Sequence, residues 1–219
     1  MGVASVHIAD LGLPALGVRR PSLPGLRQAD VGIAAPLGPS LLPSPMPGRV
    51  AVVAFWDDDA AIDRFLASSP LATGWHVRLE PVRAFGSWPG LDEDVERSRT
   101  TDHDGASVVL TLGRLRPTQA VRFLRTSARA EGAAVTSPGF VWGTGIGRPP
   151  FVATCSLWES TKALATYAYG HSRPEHPDAI AADAAKPFHR RSAFVRFRPY
   201  AMAGSLGGRN PLPEGALIA

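Results

Sequence analysis

An internal duplication limits the fold of this chain more than any other feature of its sequence. Residues 50–66 (VAVVAFWDDDAAIDRFL) resemble residues 152–168 (VATCSLWESTKALATYA) without a gap, at an offset of 102 positions. Residues 77–90 (VRLEPVRAFGSWPG) resemble residues 195–208 (VRFRPYAMAGSLGG) at an offset of 118. Because the two blocks recur in the same order, we infer that the chain contains two copies of one structural unit.

Each copy has the pattern of alternating strands and helices. VAVVAFW and FVATCSLW are short, apolar and rich in β-branched residues, which is typical of buried strands. Asp57 and Glu159 follow directly, where an acidic residue caps or complements a helix N-terminus. Each half approximates the order β-α-β-β-α-β of a ferredoxin-like unit, although Pro21 and Pro24 interrupt the first helix of the first half.

We therefore predict an α+β protein in which two ferredoxin-like halves in tandem form one pseudo-symmetric α+β barrel. The predicted first half covers residues 1–91, with a loop at 36–48, and an acidic linker covers residues 92–105. The predicted second half covers residues 106–211, with a helical insert at 170–191, and a tail at 212–219 follows it.

Strand alternation gives an expectation for the faces of the last strand in each half. It places one charged set toward the space between the two sheets or its mouth: Arg78, Glu80, Arg196 and Arg198. The apolar neighbours should then face the helices: Val77, Leu79, Val195 and Phe197. The alternative is a sheet surface with solvated arginines.

Composition excludes several classes of function. The 219 residues are 45% hydrophobic, and the formal charge is only +4 although the sequence pI is about 9.8. The basic residues are almost all arginines scattered along the chain, so we do not expect a nucleic-acid partner. The one cysteine, Cys155, excludes an intramolecular disulfide, and we expect it in the core. No secretory signal and no apolar run of 18 residues is visible, so we expect a cytoplasmic protein without stable membrane insertion.

The duplication is least regular between its two blocks, where the offset grows by sixteen residues. The added residues lie within 170–191 and include three histidines, His171, His176 and His189. A neutral imidazole is a good ligand for iron, copper or zinc. The alternative is that these histidines cap helices or are solvated.

Several segments of the second half together resemble one known family. These segments are Ser156–Glu159, His176-x-Asp178-Ala179-Ile180, Phe194-x-Arg196-Phe197 and Gly204-Ser205-x-Gly207-Gly208-x-Asn210-Pro211. In this order they are similar to the spheroidene monooxygenase family of carotenoid biosynthesis. The resemblance implies a dimeric α+β-barrel fold and haem-dependent oxygenation of an apolar polyene.

The resemblance also implies a set of site residues. It selects His176 among the histidines of the insert as the axial ligand of haem b, with His189 as the second choice. Trp142 and Trp158, together with Phe140, would line a cavity in the barrel, and Arg196 or Arg198 would pair with the haem propionates. The expected partners are an apolar small-molecule substrate, carotenoid-like or another secondary metabolite, an electron donor and a second copy of the chain.

Three other functions remain open on the sequence. The same barrel with a histidine-ligated haem could act as a dehydratase of the aldoxime type. A cofactor-free monooxygenase of the antibiotic-biosynthesis type would need no axial ligand, and the insert would then be a lid. A non-enzymatic carrier would bind haem or another ligand tightly without turnover. The sequence does not identify catalytic residues.

Overall fold

The computed structural model of the protein describes residues 2–98, 102–170 and 175–212, and of His176 it describes only the backbone. Residues 99–101 of the predicted linker, His171 of the insert and residues 213–219 of the predicted tail therefore lie outside the described residues. None of the helices in the described ranges is long and apolar enough to cross a membrane.

The described residues of the first half form four strands and one α-helix. The strands are β1 (Val3–Asp10), β2 (Leu26–Pro36), β3 (Arg49–Trp56) and β4 (Trp75–Gly86), and the helix is α1 (Asp59–Ser68). A short 3-10 helix, Leu13–Gly17, occupies the place of the missing first helix, and a second one, Pro70–Thr73, follows α1. Pro14 lies at the start of the first 3-10 helix, and the prolines that follow do not allow a longer helix.

The second half has the same order of strands with more helix. Its strands are β5 (Ser107–Leu115), β6 (Phe140–Arg148), β7 (Phe151–Trp158) and β8 (His189–Ala203). Its helices are α2 (Ala120–Val135), which follows a 3-10 turn at Pro117–Gln119, α3 (Thr161–Tyr169) and α4 (Glu175–Ala185). Helix α4 lies within the predicted insert and has no counterpart in the first half among the described residues.

The strands close into one antiparallel barrel. Within each half the order is the same, β4-β1-β3-β2 and β8-β5-β7-β6, and the two sheets join through the pairs β2–β6 and β4–β8. This topology confirms the predicted α+β barrel of two ferredoxin-like halves.

The duplication extends to the helix caps, but one residue later than we predicted from the sequence. The Asp58 side chain accepts a hydrogen bond from the Ala61 amide at 2.9 Å at the start of α1. At the start of α3, the Ser160 side chain accepts one from the Ala163 amide at 3.1 Å. Asp58 and Ser160 are 102 positions apart, so the duplicated caps satisfy equivalent backbone donors.

The predicted orientation of β4 and β8 was wrong. Val77, Leu79, Val195 and Phe197 lie in the core cluster that draws residues from both halves, which is the barrel interior. Their charged neighbours lie on the outer face, where the guanidinium of Arg78 pairs with Asp59 and Asp63 of α1. The reason is that an interior of eight strands is just wide enough to be filled by side chains, so it takes the apolar set.

Candidate functional site

A cavity of about 310 Å³ lies on the outer face of the barrel, between the sheet and helices α3 and α4. Strands β4, β5 and β8 form its floor through Arg83, Phe85, Val109, Phe194 and Arg196. Helices α3 and α4 form its walls through Leu164, Ala168, Tyr169 and Ile180. The lining is therefore mostly apolar, with two guanidinium groups as the charged groups among these residues.

Four residues of the floor form a regular grid, which we call the platform: Arg83, Phe85, Phe194 and Arg196. In the antiparallel pairing of β4 with β8, Arg83 lies opposite Arg196 and Phe85 lies opposite Phe194. Ala84 and Val195, which lie between them, pack in the barrel interior, so the platform side chains share the outer face. The platform thus has a basic half and an aromatic half.

Exposed apolar side chains are concentrated around this cavity. Among the described residues nine large hydrophobic residues are exposed, and four of these border the cavity. These four are Phe85 (42% exposed), Phe194 (38%), Tyr169 (47%) and Ile180 (48%). Apolar surface grouped in a concave site is the ordinary mark of a binding site.

The basic half of the platform holds buried charge without an acidic partner. Arg83 is 3% exposed and Arg196 is 8% exposed, and in the part of the chain that the structure describes no carboxylate pairs with either. Arg83 Nη1 donates to the Tyr169 hydroxyl at 3.2 Å, whereas Arg83 Nε and Nη2 are buried without a hydrogen-bond acceptor. Burial and the neighbouring charge of Arg83 lower the pKa of Arg196. Unpaired buried charge is costly, so this geometry favours an anionic ligand.

The two arginines predicted to bind acid groups have different surroundings. Arg196 lies in the floor of the cavity. Arg198 lies two residues further along β8, half-exposed, where its guanidinium donates to Glu80 Oε2 from Nε at 2.8 Å. A carboxylate therefore already neutralises Arg198, and only Arg196 of the two faces the cavity.

The two predicted tryptophans lie on opposite sides of the sheet. Trp142 packs against the interior cluster, with its ring centroid 5.6 Å from that of Trp75. Trp158 lies under α3, stacked on Tyr167 at 5.0 Å and edge-to-face with Phe140 at 5.4 Å. Packed side chains fill the barrel, so the structure does not bring Trp142 and Trp158 together around one cavity.

The predicted histidines also separate. His176 lies in the first turn of α4, and Ile180, one helical turn further on, lines the cavity. His189 begins β8, with its Nδ1 3.8 Å from Asp183 Oδ1 and its ring edge-to-face with Phe123. Burial lowers the pKa of His189. It is not one of the cavity-lining residues.

Four residues of this cavity were not predicted as site residues from the sequence: Arg83, Phe85, Tyr169 and Ile180. A signal for the platform was nonetheless present, because β4 contains Arg-Ala-Phe (83–85) and β8 contains Phe-Val-Arg (194–196). In an antiparallel pair, these mirrored triplets place arginine opposite arginine and phenylalanine opposite phenylalanine. The repeat alignment hid this relationship because it pairs Arg196 with Arg78.

The chain is similar in sequence to three curated proteins named spheroidene monooxygenase. The one from Rubrivivax gelatinosus is 31% identical over 207 residues, which cover 90% of this chain and 75% of the relative. The one from Cereibacter sphaeroides is 26% identical over 81% of this chain. This chain spans only 57% of the length of the Cereibacter relative. No family model matches the chain.

Solved structures give weaker similarities. An anthrone oxidase-like protein has a TM-score of 0.37 at 11% identity and covers 92% of both chains. A monooxygenase-like protein from Listeria innocua has a TM-score of 0.29 at 12% identity, over 89% of this chain and 94% of that one. Both scores are below 0.5, so the fold described above rests on its own strand pairing.

Proposed function

The chain belongs to the spheroidene monooxygenase family, and from this membership we propose that it is a haem-dependent monooxygenase of an apolar small molecule. The family name supports an oxidoreductase that inserts one oxygen atom into its substrate. The spheroidene in the relatives' names is a carotenoid, so a carotenoid-like polyene is the substrate class we propose.

One observation carries the haem proposal: the cavity combines exposed apolar side chains with buried, unpaired positive charge. Haem b has the matching chemistry, since it is a flat apolar ring with two propionates on one edge. The buried N–H groups of Arg83 that lack acceptors, and the buried guanidinium of Arg196, are donors that suit carboxylates. The residues that line the cavity therefore match haem in charge and polarity.

We propose His176 as the axial ligand, because it lies in α4, the helix that borders the cavity through Ile180. A neutral imidazole is the common proximal ligand of haem. The bound haem iron would supply oxygen activation, which no amino-acid side chain provides. The chain itself would hold the acid groups through Arg196 and exclude water through the apolar walls.

An apolar substrate would bind against the same apolar walls. Leu164, Ala168 and Ile180 offer aliphatic surface, whereas the charges of the lining lie in the floor. Monooxygenation also consumes two electrons, so the proposal includes an electron donor as a partner.

The proposed ligand is tested by the absorption spectra of two histidine variants reconstituted with haem. His176→Ala should abolish or strongly shift the Soret band and its response to imidazole or carbon monoxide. His189→Ala is the matched control, since its ring packs against Phe123 outside the cavity, and it should keep the wild-type spectrum. An unchanged spectrum in His176→Ala would reject His176 as the ligand.

A second measurement tests the type of reaction. Turnover of a polyene by the reconstituted protein should require oxygen and a reductant. Oxygen-independent turnover of an aldoxime would instead identify a dehydratase. Tight haem binding without any turnover would identify a carrier.

A further inference from the structure

We propose that Arg83 and Arg196 together bind two carboxylates of one planar ligand, whose apolar body lies on Phe85 and Phe194. The cavity would then select a flat diacid and fix its orientation. This inference rests on the function proposed above, in which that diacid is haem.

The number of charges is the first argument for two carboxylates. Arg83 and Arg196 are opposite residues of an antiparallel pair, so their backbones are about 5 Å apart. The charge of Arg83 acts unfavourably on the guanidinium of Arg196, and a single carboxylate would neutralise only half of the charge of the pair. Each guanidinium presents a planar fork that binds a carboxylate through two N–H groups. The pair therefore matches two acid groups that lie side by side.

The remaining donors of Arg83 point to the same conclusion. Its Nη1 is already bonded to the Tyr169 hydroxyl, and the Arg83 guanidinium carbon lies 4.2 Å from the centroid of the Phe85 ring. These contacts fix the guanidinium plane, whereas Nε and Nη2 have no acceptor and are buried. Nε and Nη2 lie on one edge of the guanidinium, which is the edge that binds a carboxylate with two bonds.

Among the described residues, two other arginines on the outer face of β4 and β8 do have acid partners, in contrast to Arg83 and Arg196. On the same outer face, Arg78 pairs with Asp59 and Asp63, and Arg198 pairs with Glu80. These two arginines are more exposed than Arg83 and Arg196 and yet have acid partners. In the described residues, the more exposed arginines thus have carboxylate partners. The buried arginines Arg83 and Arg196 have none among those residues, although an unpaired positive charge is most costly where it is buried.

The aromatic half of the platform explains why the ligand should be flat. Phe85 and Phe194 lie two residues from the arginines along each strand, a separation of about 7 Å. Ile180 of α4 and Tyr169 of α3 border the same cavity from the helices. A ligand with its acid groups on the arginines would have its body between the two phenylalanines and α4, the helix that carries His176.

The test compares two porphyrins that differ only at their acid groups. Haem and iron protoporphyrin dimethyl ester would be titrated into the apoprotein, and their dissociation constants measured by absorbance. The wild type should bind haem at least about tenfold more tightly than the diester. Arg83→Leu and Arg196→Leu should each weaken haem binding by about tenfold to a hundredfold and leave diester binding within about twofold. Arg198→Leu, on the same strand and already paired with Glu80, should change neither.

Equal binding of haem and the diester by the wild type would overturn the inference, and so would an Arg198→Leu effect as large as that of Arg83→Leu. The wild-type comparison decides the matter even if a leucine variant does not fold. A spectrum that depends on His176 together with equal binding of the two porphyrins would reject the carboxylate pair alone. Failure of the wild type to bind either porphyrin would reject the proposed function as well.

Discussion

Arg83 and Arg196 face each other across the β4–β8 pair, both buried, with no carboxylate beside them in the described residues. The β4–β8 pair is also one of the two seams that join the halves of the barrel. The candidate site therefore depends on the duplication, because each half contributes one arginine and one phenylalanine to it.

Because Arg196 is buried without a carboxylate partner in the described residues, we predict that its charge destabilises the apoprotein. Arg196→Leu should raise its free energy of unfolding by about 1–2 kcal/mol, because an isolated buried charge is replaced by an apolar side chain. For a chain of this size that corresponds to a rise in Tm of about 2–8 °C, measurable by calorimetry without haem. Arg78→Leu is the control and should be neutral or destabilising, because Arg78 pairs with Asp59 and Asp63. A fall in Tm for Arg196→Leu would show that Arg196 is a structural residue of the apoprotein.

A buried histidine under α1 predicts a loss of stability in acid. His7 is fully buried, shares a hydrogen bond of 2.6 Å between its Nε2 and the Ser5 hydroxyl, and stacks on His76 with ring centroids 5.5 Å apart. Burial, followed by the charges of His76 and Arg78, lowers the pKa of His7 from 6.5 to about 3. Between pH 6.5 and 3 the unfolded chain binds a proton at His7 and the folded chain does not. The free energy of unfolding should therefore fall by up to about 1.4 kcal/mol per pH unit as the pH is lowered through this window.

Urea unfolding of His7→Gln at a series of pH values checks this origin of the acid sensitivity. The variant should lose the contribution of His7 to the slope between pH 6.5 and 4, because glutamine does not titrate, whereas His76 and His189, whose pKa values burial also lowers, should keep theirs. Phe65→Leu removes an aromatic neighbour whose ring centroid lies 5.0 Å from that of His7, and it should lower stability at every pH without changing the slope. A wild-type slope in His7→Gln would assign the acid sensitivity to other groups.

Two duplicated glycines predict equivalent losses of stability. Gly86 is the last residue of β4 and Gly204 directly follows the equivalent strand β8, and their φ angles of 74° and 78° lie in the left-handed region. A Cβ at Gly86 would lie 2.3 Å from the Ser192 carbonyl oxygen, and one at Gly204 would lie 1.9 Å from that of Gly74. Each change to Ala should therefore cost more than about 2 kcal/mol in chemical unfolding. Gly147→Ala, where a Cβ would meet no atom within 4 Å, should have a much smaller effect, and equal losses at all three positions would contradict this explanation.

The barrel could be predicted from the sequence because the duplication repeats complete strands and helices, such as residues 50–66 and 152–168. The sequence did not predict which face of β4 lies in the barrel interior, because the alternation in VRLEPV defines two faces and does not distinguish the inner from the outer one. That choice depends on closure: the interior shared by both sheets takes Val77 and Val195, and the arginines remain outside.

The candidate site was only partly predictable for a related reason. Arg196 was found because the family resemblance includes it, whereas Arg83 lies on another strand and becomes its neighbour only through the register of β4 with β8. Trp142 and Trp158 looked alike in the sequence as large aromatic residues near strand ends. The irregular pairing of β6 with β7 between Phe140 and Trp142 and the closure of the barrel place them on opposite faces of the sheet.

The most direct test of the account is the absorption spectrum of the wild-type protein as purified from haem-replete cells. We predict a Soret band at close to one haem per chain, which shifts when carbon monoxide is added to the reduced protein. A colourless protein that converts its substrate with oxygen, and gains neither a Soret band nor activity from added haem, would contradict it.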